Sequence, residues 1–226
     1  MAAGPTVWSG GAYAPNLASV ADDPVMQPSL FPHPDAAGDW RQLFDDTEGG
    51  VRYRPGVVDA STALAWFEAL RDGIAWKSQR RMMYERVVEV PRLLASWWLD
   101  DPGLPPVLAA ADRAVREAVD EPFTAVGLNL YRDGNDSVAP HGDKQHMLVP
   151  GHPVVLLSLG ATRRMTIRPN LPPRRAVQVD LEPGSLLVMS HRSQLTHQHG
   201  IAKTREAVGP RISLAFRVRP RPRPDA

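Results

Sequence analysis

The sequence predicts a mainly β fold with flanking helices, in the form of a sandwich or barrel. Short apolar runs recur at 123–130, 154–159, 165–167, 176–179, 186–189 and 212–218, separated by turns that contain Gly, Pro, Asn or Asp. Such runs between turn signals mark all-β architectures. Two amphipathic helical segments precede them. The 226 residues, 43% hydrophobic and 23% charged, suffice for one sizeable domain of ordinary soluble composition. The expected organisation is a flexible N-terminal extension over 1–38, one domain over 39–219, and a basic Arg/Pro tail over 220–226.

In chain order, 1–38 is rich in Ala, Pro and Gly without helical or strand period, as expected of a segment with little to bury. Ordered structure is expected from Trp40 to Phe44. From Asp59 to Leu70, polar caps lead into apolar residues at three- and four-residue intervals, which predicts an amphipathic helix packed on the barrel through Trp66 and Phe67. The pattern between Ile74 and Trp98 is strand-like, around Val87, Val88 and Val90. An Ala-rich segment from Ala109 to Val119, with Val107, Leu108, Ala111, Val115 and Val119 on one side, predicts a second helix. The Arg-Pro repeat after Val218 cannot continue a sheet, because alternate residues lack an N–H.

No apolar run approaches membrane-spanning length, and the N-terminal residues lack a basic region followed by an apolar core, so neither insertion nor secretion is expected. With no cysteine there are no disulfides or thiolate metal sites, and a cytoplasmic location is expected. Charge is uneven: residues 1–143 hold 12 Lys/Arg against 21 Asp/Glu, whereas 144–226 hold 14 against 4. Arg163, Arg164, Arg168, Arg174 and Arg175 fall in a stretch without acidic residues. They are either a solvated face or a rim for phosphates.

The chemistry centres on 129–143. His141 and Asp143 are two apart, and in an extended chain such residues point to the same face. His199, after the apolar run 185–189, is the candidate third ligand, with His197 on the same strand face and the more distant His191 as rivals. Two imidazoles and one carboxylate form the non-haem Fe(II) arrangement, with positions left for a co-substrate and O2. His146, His152 and His33 fall in loop-like sequence and read as surface residues. In 211–217, Arg211, Ser213, Ala215 and Arg217 share one face. An inward guanidinium is costly unless it meets an anion, and 2-oxoglutarate carries two carboxylates.

Taken in order, Asn129-x-Tyr131, His141-x-Asp143, His199-Gly200-Ile201 and Arg211-x5-Arg217 resemble the AlkB family of Fe(II)- and 2-oxoglutarate-dependent dioxygenases over roughly residues 80–219. The resemblance implies a double-stranded β-helix, or jelly roll. It also implies that His141, Asp143 and His199 hold Fe(II), that Arg211 with Asn129 and Tyr131 grips the distal carboxylate of 2-oxoglutarate, and that Arg217 with Ser213 takes the carboxylate nearer the metal. Ser213 departs from the asparagine of the bacterial founder. The implied activity is oxidative demethylation of N1-methyladenine and N3-methylcytosine in DNA or RNA, releasing formaldehyde, succinate and CO2. The partner implied is alkylated nucleic acid, expected single-stranded and met by a monomer, with no membrane involved. The region 74–98 corresponds to a flap over the nucleotide, so Tyr84, Trp97 and Trp98 are either base-stacking residues or core. Many relatives carry acidic residues after His-x-Asp; here stand Lys144, Gln145 and His146, of which Gln145 could meet a base edge. Oxygenase chemistry on a protein or small molecule, and a ligand-binding jelly roll without turnover, remain as alternatives.

Overall fold

The computed structural model describes residues 38–83, 86–173 and 175–221, without the side chains of 81–89. The expected extension, apart from Gly38, and the tail beyond Arg221 lie outside them, as do His33, Tyr84 and Arg174. The elements are Arg41–Phe44 (β1), Val51–Arg54 (β2), Ala60–Gly73 (α1), Arg80–Met83 (β3), Arg86–Glu89 (β4), Leu93–Trp98 (β5), Pro106–Ala118 (α2), Ala125–Tyr131 (β6), Val138–His141 (β7), Val154–Gly160 (β8), Arg163–Pro169 (β9), Val177–Leu181 (β10), Leu186–Met189 (β11), His191–Thr196 (α3), His197–Ile201 (β12) and Arg211–Arg217 (β13).

Seven strands form one antiparallel sheet in the order β1-β2-β11-β8-β13-β6-β5. Four more form a second in the order β10-β9-β12-β7, and β3-β4 is a separate hairpin. This is the expected jelly roll. The seven-stranded sheet is apolar on both faces, and each face has its own core. Ile212, Leu214 and Phe216 of β13 join Leu157 and Leu159 against Ala63, Phe67 and Leu70 of α1 and Leu108, Ala111 and Val115 of α2. The opposite parity, Ala215, Leu156, Leu187, Met189 and Tyr131, meets Met165, Ile167, Val179, Leu181 and Ile201 of the smaller sheet. Strand alternation therefore assigns every residue of β13 to the helix layer or to the barrel interior.

Asp59 caps α1 by accepting the Thr62 amide at 2.9 Å, and Pro106 opens α2, where its missing N–H is not needed. Phe67 is buried, as expected, and Trp66 packs against the same core. The helix expected from Ala109 starts three residues earlier. Gly160 ends β8 at φ +80°, where an added Cβ would lie 2.5 Å from the Pro210 carbonyl and 2.7 Å from the Phe67 ring. That position requires glycine, and it seals the barrel beside Arg211, its partner in the ladder.

Candidate active site

β7 and β12 lie side by side, and their register sets His199 directly opposite His141. The two rings are 4.6 Å apart between centroids. Asp143 follows two residues after His141, and one ligand atom from each of His141, Asp143 and His199 lies within 4.8 Å of the others. The Nδ1 of His141 faces the Ala139 carbonyl at 2.9 Å, so it carries the proton and leaves Nε2 as the free lone pair. Burial, aided by the neighbouring His141, lowers the His199 pKa to about 4, so this imidazole is neutral at physiological pH, as a ligand must be. Burial would raise the Asp143 carboxyl, but the Arg217 charge and hydrogen bond, with His199 and His141, outweigh it and hold the group below the usual carboxylate range.

Of the rivals for third ligand, His197 is stacked on Phe44 at 4.0 Å and contacts Thr196 at 2.9 Å, and His191 opens α3. Neither joins the cluster. His146 is exposed as expected, whereas His152 is half-buried and paired with Glu121 at 2.7 Å.

Behind this cluster lies a polar patch in the barrel floor. Asn129, Ser213 and Ser158 form one row across β6, β13 and β8, and Tyr131, Arg211 and Gly160 form the next. Arg211 is fully buried. Its Nη2 donates to Ser158 Oγ at 2.8 Å, its guanidinium lies 5.4 Å from the Tyr131 ring, and its Nε and Nη1 have no partner among the described residues. Burial lowers its pKa to about 10 against the opposing effect of Tyr131, whose own phenol burial keeps protonated, and the charged neighbour it has is a second cation, Arg163. A guanidinium with two unpaired donors in a water-excluded floor lacks an anion, and a carboxylate is the acceptor that matches its fork. The donor set thus suits both groups: two imidazoles and a carboxylate for Fe(II), and a buried cation for the far end of a dicarboxylate.

The remaining expected residues divide. Asn129 Oδ1 accepts from Arg92 Nε at 2.8 Å, so Arg92 orients this amide. Gln145 is tied back to the Asp143 carbonyl at 3.1 Å. Trp98 is on the site face of β5, in the row with Ala125 and Arg217. Trp97 has the opposite parity and packs against the helix-side core, on the sheet face away from the cluster. Tyr84 is outside the described residues.

The arginine rim also needs correction. Arg163 shares parity with Met165 and Ile167 and points inward; it is 4% exposed and donates to the carbonyls of Asp133, Asp136 and Ala202 at 2.8–3.0 Å. Arg164 is paired with Asp180 at 2.7 Å, and Arg168 with Gln198 at 3.0 Å, on the outer face of the small sheet. Sequence reasoning missed Ser158 and Gln194. A lone polar residue inside the run 154–159 was the available signal for Ser158; nothing in the sequence marked Gln194, which is 5% exposed and accepts the Asp143 amide on Oε1 at 3.0 Å.

A family model described as the 2OG-Fe(II) oxygenase superfamily matches residues 50–217. Over 190 residues, 75% of this chain and 66% of the relative, the sequence is 32% identical to the alpha-ketoglutarate-dependent dioxygenase alkB homolog 3 of Bos taurus. The Homo sapiens protein of that name is 30% identical over the same shares. Identity to the DNA oxidative demethylase ALKBH2 of Homo sapiens is 33% over 119 residues, 50% of this chain and 46% of that protein. The chain thus spans 66% of the length of the first of these relatives and less than half of the last. In fold it is similar to a prolyl hydroxylase in complex with a hypoxia inducible factor oxygen degradation domain peptide fragment from Trichoplax adhaerens (TM-score 0.55, 14% identity, 75% of this chain and 84% of that one). It is similar also to OsALKBH1 (TM-score 0.53, 17% identity, 74% and 97%).

Proposed function

From the premise that the chain belongs to the 2OG-Fe(II) oxygenase superfamily, and within it to the AlkB-like dioxygenases, we infer that it oxidatively removes N-linked methyl groups from nucleic-acid bases, N1-methyladenine and N3-methylcytosine foremost. The observation that carries the reading is the pairing of the His141, Asp143 and His199 cluster with Arg211, a buried cation lacking an anion, within one barrel. A barrel that merely bound a neutral ligand would have no use for that guanidinium, whose burial is costly.

His141 Nε2, Asp143 and His199 would hold Fe(II). Arg211, with Tyr131 and Asn129, would receive the distal carboxylate of 2-oxoglutarate. When bound, these groups supply the oxidation: with O2 the co-substrate is decarboxylated to succinate and CO2, the N-methyl group is hydroxylated, and the hydroxymethyl group leaves as formaldehyde. The protein's own contribution is placement. Arg217 holds Asp143 at a fixed angle, the Ala139 carbonyl fixes the His141 tautomer, and the two apolar cores exclude water from the floor. His199, neutral down to about pH 4, needs no deprotonation to act as a ligand.

A single-stranded substrate, met by a monomer, completes the reading; the single strand is favoured because a base in a duplex must first be turned out at a cost of about a few kcal/mol. The test is succinate and formaldehyde release with methylated single-stranded oligonucleotide, methylated peptide, or no prime substrate. Coupled release with the oligonucleotide alone is expected. Coupled release with the peptide alone would move the activity to proteins.

A further inference from the structure

Five residues of one parity climb from the barrel floor to its rim: Arg211, Ser213, Ala215, Arg217 and, two residues past the end of β13, Arg219. The chain is fixed there. Thr124 Oγ1 donates to the Arg219 carbonyl at 3.1 Å and accepts the Arg219 amide at 2.8 Å. On the other side the Val149 amide donates to the Val218 carbonyl at 2.9 Å, tying this segment to the stretch that follows Asp143. Trp98 stands in the row of Arg217 on the same sheet face. The guanidinium carbons of Arg219 and Arg221 lie 5.6 and 5.3 Å from its ring centroid. Pro220, with its fixed φ, spaces the two.

Three features of this cluster call for an anion. The Nε of Arg219 is buried without a partner among the described residues. The charges it feels are Arg217, a second cation, and Asp143, whose Oδ2 already accepts from Arg217. Arg221 is paired with Asp100, but both side chains are more than half exposed (59% and 65%), and such pairs exchange readily because water screens them. Arginines held over an aromatic ring lose little freedom on binding.

We propose that Trp98, Arg219 and Arg221 form a platform that binds the phosphodiester backbone of the substrate strand at the rim of the active site. The inference rests on the demethylase reading and assigns the strand's backbone to the segment after β13. Arg163 is buried and Arg164 and Arg168 stand on the outer face of the small sheet, so none of the three has a part in it. The ladder of guanidiniums then has a division of labour: Arg211 in the floor for the co-substrate, Arg217 for the Asp143 carboxylate, Arg219 and Arg221 at the rim for phosphate.

The experiment titrates the full chain into a fluorescent single-stranded oligonucleotide bearing one methylated base, from about 50 to 200 mM NaCl, the range over which phosphate binding responds steeply to salt. For a single strand, each arginine that no longer neutralises a phosphate lowers the log-log salt slope by about 0.7. The double variant Arg219→Gln, Arg221→Gln is therefore expected to lose about 1.4 of slope, twice that value. It is also expected to bind about 5- to 10-fold more weakly at the low end of the salt range, where charge neutralisation counts most. Each single variant is expected to lose about half as much slope as the double, which keeps the test available should the double variant not fold. Trp98→Leu, which removes the ring and leaves every charge, is expected to weaken binding in the same direction. Arg164→Gln, on the outer face, is expected to retain the wild-type slope. A wild-type slope in both arginine single variants and the double would overturn the platform while leaving the demethylase reading intact. Absence of salt-dependent binding by the wild-type protein itself would overturn both.

Discussion

Arg217 Nε lies 2.6 Å from Asp143 Oδ2, so the guanidinium that the family resemblance gives to the co-substrate is committed first to the carboxylate of the His141, Asp143 and His199 cluster. The pair is largely enclosed, with 22% and 11% of the two side chains exposed, and Arg217 also donates to the Ala215 carbonyl at 3.1 Å. Gly127 leaves room for it: an added Cβ would sit 3.2 Å from Arg217 Nη1.

Arg217→Gln is expected to loosen the metal site before any co-substrate is present. Partners that orient a metal ligand typically contribute about 10- to 100-fold in affinity, and Mn(II) titration calorimetry without 2-oxoglutarate isolates that effect. Unchanged Mn(II) affinity with weakened 2-oxoglutarate binding would return Arg217 to a purely co-substrate role.

Arg211→Met separates stability from binding. Replacing an unpaired buried guanidinium by an apolar chain relieves its desolvation, so the variant without ligand is expected to melt no lower than wild type. Stabilisation by 2-oxoglutarate with Mn(II) should vanish, because losing one partner of a buried charge pair costs about 2–5 kcal/mol. Thermal melts with and without 2-oxoglutarate give both numbers, and a ligand-induced shift equal to wild type would mean that another residue receives the distal carboxylate.

Much of this is legible from parity. Alternation along 211–217 by itself assigns Arg211 and Arg217 to one face, and the spacing of His141 and Asp143 does the same for the cluster. The same rule, applied to 163–167, turns Arg163 inward with Met165 and Ile167; the density of charge in that stretch suggests a solvated rim instead and misleads. Trp97 and Trp98 differ by one residue and so must face opposite ways, but which one faces the site depends on the β5 to β6 register, a non-local pairing. Gln194 sits 51 residues from the Asp143 amide it accepts, on a six-residue helix with no periodic signal.

That short helix is expected to set the geometry of the cluster. A Cβ at Gly142 would lie 2.4 Å from the Gln194 carbonyl, so α3 presses directly on the turn between His141 and Asp143. Gln194→Leu removes the acceptor of the Asp143 amide and should lower Mn(II) affinity by about 10-fold, the low end for orienting partners. Gly142→Ala should cost about 1–3 kcal/mol by overpacking, read as a lower melting temperature. A Gln194→Leu protein with wild-type Mn(II) affinity would reduce that interaction to packing.

The turn that delivers β7 to the site makes stability depend on acid. The Asp136 carboxylate, 3% exposed, accepts the Arg132 amide at 2.9 Å and the Arg132 guanidinium at 2.8 and 2.9 Å. Burial pushes its carboxyl up, but the Arg132 hydrogen bonds and the charges of Arg132 and Arg163 hold it below the ordinary value. A depressed folded pKa means that the unfolded chain takes up the proton first. The stabilisation is therefore full above the unfolded value of about 3.9 and is lost as pH falls below it and through the folded value. Asp136→Asn leaves the Arg132 donors poorly met and should cost about 1–3 kcal/mol at neutral pH. The gap between wild type and variant should then narrow as the pH is lowered from about 4 through the folded value in urea denaturation, because the wild-type carboxylate is itself being neutralised. A gap of constant size across that range would show that Asp136 contributes through its shape and not through its charge.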